Sequence, residues 1–169
     1  MELNTMESLS LATNQDGPSA LMSSLGHDPG KVAALESLLL QGPNQIELET
    51  LHLIHAGMYA RTIFIPAGTV LTGALIDVAN ICTVCGDITV TTSDVAKRFT
   101  GYHVIPASAG HKRAGFAHAD TWWTTLVRTD LKDVPSIEND VTREADRLYS
   151  RRVAIEQAQR CAIEQGETK

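Results

Sequence analysis

From Ile46 to Arg128 the chain leaves no room for a helix, and this limits what it can fold into. Apolar or β-branched runs follow one another at about ten-residue spacing, broken by Gly57, Gly68, Gly86-Asp87, Ser93-Asp94, Gly101, Gly110 and Asp120. Parallel neighbours need a long crossover, and no linker here holds one, so the strands pair antiparallel in a sandwich or barrel. Alternation marks the faces: Tyr59, Arg61, Ile63 and Ile65 share one side, with Ala60, Thr62 and Phe64 on the other. The predicted strands are Ile46–Thr50, Tyr59–Ile65, Val70–Ile76, Ile81–Val84, Ile88–Thr92, Lys97–Thr100, Tyr102–Ile105, Gly115–His118 and Trp122–Arg128.

The flanks differ in character. Residues 1–27 form an arm rich in Ser, Thr, Asn, Gly and Met, with leucines at no clear period. A short helix and linker follow over 28–45. Asp28 is its N-cap, Pro29 its first residue and Gly42-Pro43 its stop, with Val32, Leu35, Leu38 and Leu39 on one face. That face packs on the barrel or on a neighbouring subunit. The β region spans 46–130. Beyond it, 131–169 is predicted as a long helical tail with Ser136 as N-cap, and Val141, Leu148, Ile155 and Ala162 recur every seven residues. Its second seam (Ala145, Arg152, Gln159) is too polar for a coiled coil.

Composition narrows the function classes. A net charge of −6 gives no electrostatic footprint for nucleic acid or an anionic membrane. No apolar run has transmembrane length, and no basic-then-apolar leader opens the chain. Three cysteines, an odd number, fit a reducing compartment better than a disulfide scaffold.

Three segments carry a resemblance: Ile65-Pro66-Ala67-Gly68-Thr69, Gly86-Asp87-Ile88-Thr89-Val90 and Gly101-Tyr102-His103-Val104-Ile105-Pro106. They resemble the motifs of cupins, the small double-stranded β-helix barrels. With Tyr59-Ala60-Arg61 and Ala117-His118-Ala119-Asp120-Thr121, they look more closely like small cupin-like proteins of tailed bacteriophages and prophages. The resemblance covers under half the chain. It implies a mainly β fold, a single cupin-like jelly-roll barrel with a short N-terminal helix and a long C-terminal one. It further implies a phage origin, and hence a virion protein made in the bacterial host cytoplasm.

Metal-binding cupins place a His-x-His pair and a carboxylate in the first motif and a His in the second. Counting from Gly68, the pair positions here are Ala74 and Ile76, and the carboxylate position is Ala79 or Asn80. His111 stands at the second-motif position, and one imidazole does not make a transition-metal site. No metal and no cofactor is therefore expected. Cys82-Thr83-Val84-Cys85 has C-x-x-C spacing, but residues three apart on a strand face opposite ways.

Two function classes remain. The first is a non-enzymatic assembly module in a homo-oligomer or bound to other virion proteins, with Trp122, Trp123, Leu148 and Ile155 as partner-binding candidates. The second is a metal-independent cupin enzyme of isomerase type, or a binder of sugars or other small molecules, using His103, His111, Asp77 and Tyr102 at the barrel mouth. Converging His and carboxylate side chains would favour the second class. The His111-Lys112-Arg113 triplet is a small basic cluster that reads first as a solvated turn, with pairing to an acidic partner or a phosphate as the alternative.

Overall fold

A computed structural model describes residues 16–26, 28–92, 95–148 and 151. Its centre is one six-stranded antiparallel sheet. The strands are β1 (Thr50–His55), β2 (Met58–Ile65), β3 (Val70–Thr72), β4 (Asn80–Thr91), β5 (Ala96–Ala107) and β6 (Ala114–Arg128). Their order is β1-β2-β6-β4-β5, with β3 paired to the first part of β6. The fold is mainly β, as the turn spacing predicts.

The first strand starts later than expected. Ile46 lies outside it and is exposed, and His52 and His55 fall on it. Ala56 and Gly57 both take positive φ, +50° and +74°, and close the β1–β2 hairpin in two residues. β3 is also shorter than predicted. Between Thr72 and β4 no further strand forms among the described residues, and an isolated bridge pairs Ile76 with His111.

Three expected turns are corners inside long strands. Gly86 lies within β4, Gly101 within β5 and Asp120 within β6. Gly86 and Gly101 pair across the ladder, and the β4–β6 register shifts beside them, between Cys85 and Asp87 and again between Asp87 and Ile88. Glycines and bulges at one level let neighbouring strands bend together, which is how a sheet curls toward a barrel. The bend brings Val84 from one side of the corner and Ile88, Val90 and Phe99 from the other into one core with Ile65 and Ala117. The predicted turn at Ser93-Asp94 lies outside the described residues.

Helices cover two flanks. Part of the predicted arm is helical: α1 (Asp16–Leu25) buries Met22 and Leu25 against Val32 and Ala114. α2 (Pro29–Gln41) begins as expected, the Asp28 carboxylate accepting from the Gly30 and Lys31 amides. Its face is narrower than expected, with Val32 buried but Leu38 67% exposed. The long C-terminal helix is corrected to α3 (Val134–Val141), followed by one 3₁₀ turn, Ala145–Arg147. Asp133, not Ser136, is the N-cap: its carboxylate accepts from the Ser136 amide at 2.8 Å. Thr142 ends the helix in extended geometry. Ile137 and Val141 pack on Tyr59 and Val127. The rest of the predicted tail lies outside the described residues, as does the arm before Asp16. No described helix is long and apolar enough to cross a membrane.

The His111-Lys112-Arg113 triplet is not a solvated turn. Lys112 is 5% exposed, and its Nζ pairs with Glu144 at 2.6 Å and Glu36 at 3.3 Å. Arg147 reaches Glu36 at 2.9 Å. This network fastens α2 and the C-terminal segment to the loop before β6.

Candidate functional site

Alternation along β2 turns Tyr59, Arg61, Ile63 and Ile65 inward, opposite Val127, Thr125, Trp123 and Thr121 of β6. Cys82 and Val84 of β4 continue the same rows. These strands, β3, residues 73–76 and the β5–β6 connection enclose a cavity of about 150 Å³. Most of its wall is hydrocarbon. Its polar groups include Arg61, Arg113, His111, Asn80 and Glu138.

The cupin-register positions meet in this cavity: Ala74, Ile76, Asn80 and His111 all line it. They present one imidazole, one amide and two hydrocarbon side chains. That set does not fit a transition-metal ion, which needs three or more converging N, O or S donors. Among the described residues no group of three His, Cys, Asp or Glu is placed to hold one.

No protein-family model matches the sequence, and no curated protein matches it either. Solved structures do. Several of its structural neighbours are cupin-superfamily proteins. A cupin-superfamily protein of Desulfitobacterium hafniense is 10% identical, with 54% of this chain and 86% of that one covered and a TM-score of 0.43. An RmlC-like cupin with a double-stranded β-helix fold, from Methanocaldococcus jannaschii, is 10% identical over 52% of this chain and 84% of that one, at 0.40. A conserved protein of Streptococcus pyogenes is 14% identical over 53% and 80%, at 0.42.

The enzyme candidates do not converge. His111 lines the cavity, but Asp77 is held by Arg143 at 2.7 Å, a pairing that keeps its carboxyl below the ordinary range. The His103 ring nitrogen Nε2 lies 3.0 Å from the Thr100 carbonyl, with its ring edge-on to Phe99. Tyr102 is 68% exposed on the opposite side of the sheet. The remaining histidine of the resemblance, His118, bonds Thr89 Oγ1 at 2.8 Å. Asp120 accepts from the Ala67 amide at 2.9 Å, and beside it the Gly68 amide donates to the Ala117 carbonyl while the Ala117 amide donates to the Thr69 carbonyl. The two motifs at 65–69 and 117–121 are therefore halves of one turn.

The partner candidates separate. Trp122 is exposed on the outer face, while Trp123 lines the cavity with the Arg113 guanidinium 5.8 Å from its ring centre. Leu148 also lines the cavity, and Ile155 lies outside the described residues. Cys82 is buried and Cys85 exposed, as alternation predicts.

The cavity's charged groups, Arg61, Arg113 and Glu138, escaped the sequence reading as site residues. Arg61 carried a usable signal: a charge at an inward position between Tyr59 and Ile63. Burial lowers its pKa, and Tyr59 and Glu138 counter this in part. Burial pushes the Tyr59 phenol up to about 12. Arg113 donates to Cys82 Sγ at 3.4 Å, and Arg151 pairs with Glu138 at 2.9 Å.

Acid should weaken the fold in two steps. Burial lowers the pKa values of His52 and His118 from the usual 6.5, so their contribution is full above 6.5 and is lost as pH falls through their folded values. Glu144 comes next. Burial raises its pKa, but the Lys112 and Leu75 hydrogen bonds outweigh this and bring it below 4.5. Asp87, held by Arg98, lies below 3.8. These depressed carboxylates stabilise the fold above their unfolded values and lose that effect as pH drops further. Urea midpoints measured from pH 8 to 3 should fall modestly below 6.5 and steeply below about 4.5. A midpoint that rises on acidification would contradict the assignment.

Proposed function

We propose that this protein is a non-enzymatic, metal-free assembly module of a tailed-bacteriophage particle, acting as a homo-oligomer through the outer face of its sheet. The observation that carries the reading is the chemistry of that face. Across β1, β2, β6, β4 and β5 one row reads Leu53, Ala60, Leu126, Ile81, Pro106. The next reads Leu51, Thr62, Thr124, Thr83, Val104, and the third Phe64, Trp122, Cys85, Tyr102. None carries a charge. Leu53, Val104 and Tyr102 are 63%, 58% and 68% exposed.

Five strands at about 4.8 Å and three rows at about 7 Å span roughly 480 Å² in projection. That suits the apolar centre of an interface to which each partner gives about 800 Å². A second copy fits the layout. A two-fold axis along the threonine row sets Thr on Thr and lays the Leu53–Leu126–Ile81 row of one copy on the Phe64–Trp122–Tyr102 row of the other. The phage assignment is supported by the motif resemblance, and the non-enzymatic assignment by histidines and carboxylates that do not meet.

Sedimentation tests the interface. The native chain should run as a dimer or larger at micromolar concentration, and Trp122→Glu with Val104→Glu should weaken association at least a hundredfold while leaving the melting temperature of the monomer nearly unchanged. A native chain that is monomeric at 100 μM would overturn the self-association, and its absence from purified particles by mass spectrometry would overturn the virion role.

A further inference from the structure

The described wall of the cavity carries two guanidinium groups, Arg61 and Arg113, and one carboxylate, Glu138. Among the described residues Arg61 Nε is buried with no hydrogen-bond partner. Arg113 lines the same cavity; among the described residues its side chain donates to the Cys82 thiol and lies over the Trp123 ring. Glu138 is the one carboxylate on the wall among the described residues, and it engages Arg151. A buried guanidinium N–H without an acceptor is costly, and native structures rarely leave one without a ligand, ion or water to complete it.

We infer that the cavity is a binding site for a small monocarboxylate with an apolar body, the carboxylate held by Arg61 with Arg113 beside it. Size and lining set the ligand class. A dry cavity of about 150 Å³ elsewhere admits benzene, so this one takes a body of about six carbon atoms. Ile63, Ile65, Leu71, Val90 and Val127 supply the apolar wall, and the indole of Trp123 supplies a flat one. The planar fork of arginine matches a carboxylate with two parallel hydrogen bonds. Arg61 also lines a groove running beside the end of α2 and β3, which gives the ligand a way in. No bond is made or broken: among the described residues His111 is the one imidazole on the wall, and the one carboxylate there is already engaged.

The experiment uses the full chain and titrates acetate, butyrate and benzoate against the neutral amides of the same bodies, with inorganic phosphate as a further arm. Calorimetry and indole fluorescence are the readouts. Benzoate should bind at least tenfold more tightly than benzamide and more tightly than acetate, and should change the fluorescence. Arg61→Met should abolish the preference for carboxylate over amide, while the unliganded variant melts about 3–5 °C higher, because a buried charged group with an unsatisfied N–H is gone. Arg128→Gln, an exposed control, should behave as the native chain. Equal affinity for acids and amides would overturn the site. So would tighter binding of phosphate than of any carboxylate, or an Arg61→Met chain that melts lower and still prefers benzoate.

Discussion

Gly86→Ala should abolish the cooperative folding transition or leave it barely measurable. A Cβ built on Gly86 lies 2.6 Å from the Asp120 carbonyl oxygen and closer still to Thr121 Oγ1. Both obstacles belong to the neighbouring strand, and one is backbone, so no rotamer change relieves the overlap. The backbone at Gly86 also has a φ of +148°, which side-chain-bearing residues avoid. Relief requires β4 and β6 to part at the corner, where Thr121 Oγ1 also receives the Asp87 amide at 3.0 Å. The expected loss is about 4 kcal/mol or more, comparable with the whole stability of a small domain. Gly101→Ala is the matched comparison. Its φ is +84°, but nothing lies within 4 Å of the added methyl, so only conformational strain of about 1 kcal/mol applies. Urea denaturation of the two variants should differ severalfold in midpoint loss; equal losses would show that the corner is not close-packed.

Lys112→Met is the second large effect. It removes the cation shared by Glu36 and Glu144 and leaves both carboxylates in a largely enclosed site, their side chains 14% and 19% exposed. Breaking a buried ion pair from one side costs about 3–5 kcal/mol, because the remaining charge keeps its desolvation without its partner. Arg147 stays near both carboxylates, at 2.9 and 3.7 Å, which places the loss toward the lower end. Adding Glu36→Gln and Glu144→Gln to Lys112→Met should restore most of the stability, since the repulsion and the charge burial go together. Thermal melts at pH 7 decide this; a triple variant no better than the single one would mean that the lysine acts through packing alone.

The sequence carried the β architecture well, because alternation and turn residues are local signals. Asp28, Pro29 and Gly42 bounded a helix correctly for the same reason: each acts on atoms within a few residues. Gly86, Gly101 and Asp120 misled because a glycine at a bend and a glycine at a turn look alike. Only the pairing of Gly86 with Gly101 shows that the strands continue through. Lys112 misled because its partners lie 76 and 32 residues away, a separation that no local pattern encodes. The long tail helix was over-extended because heptad spacing says nothing of Thr142, whose extended backbone ends α3. The apolar register of Ala74 and Ile76 was legible from motif counting. The charge that characterises the cavity was not, since Arg61 was read as part of a motif and Arg113 as part of a loop.

Asp120 and the amide of Ala67 also govern how the gene can be recombined. The turn at 66–69 is completed by residues some fifty positions downstream, through Ala67 to Asp120 and through Gly68 and Thr69 to Ala117. A chimaera with a crossover between them would inherit half a clasp from each parent. Crossovers placed before Tyr59 or after Arg128 keep both halves from one source, so viable hybrids should cluster their junctions outside that interval, whatever the parents' overall similarity.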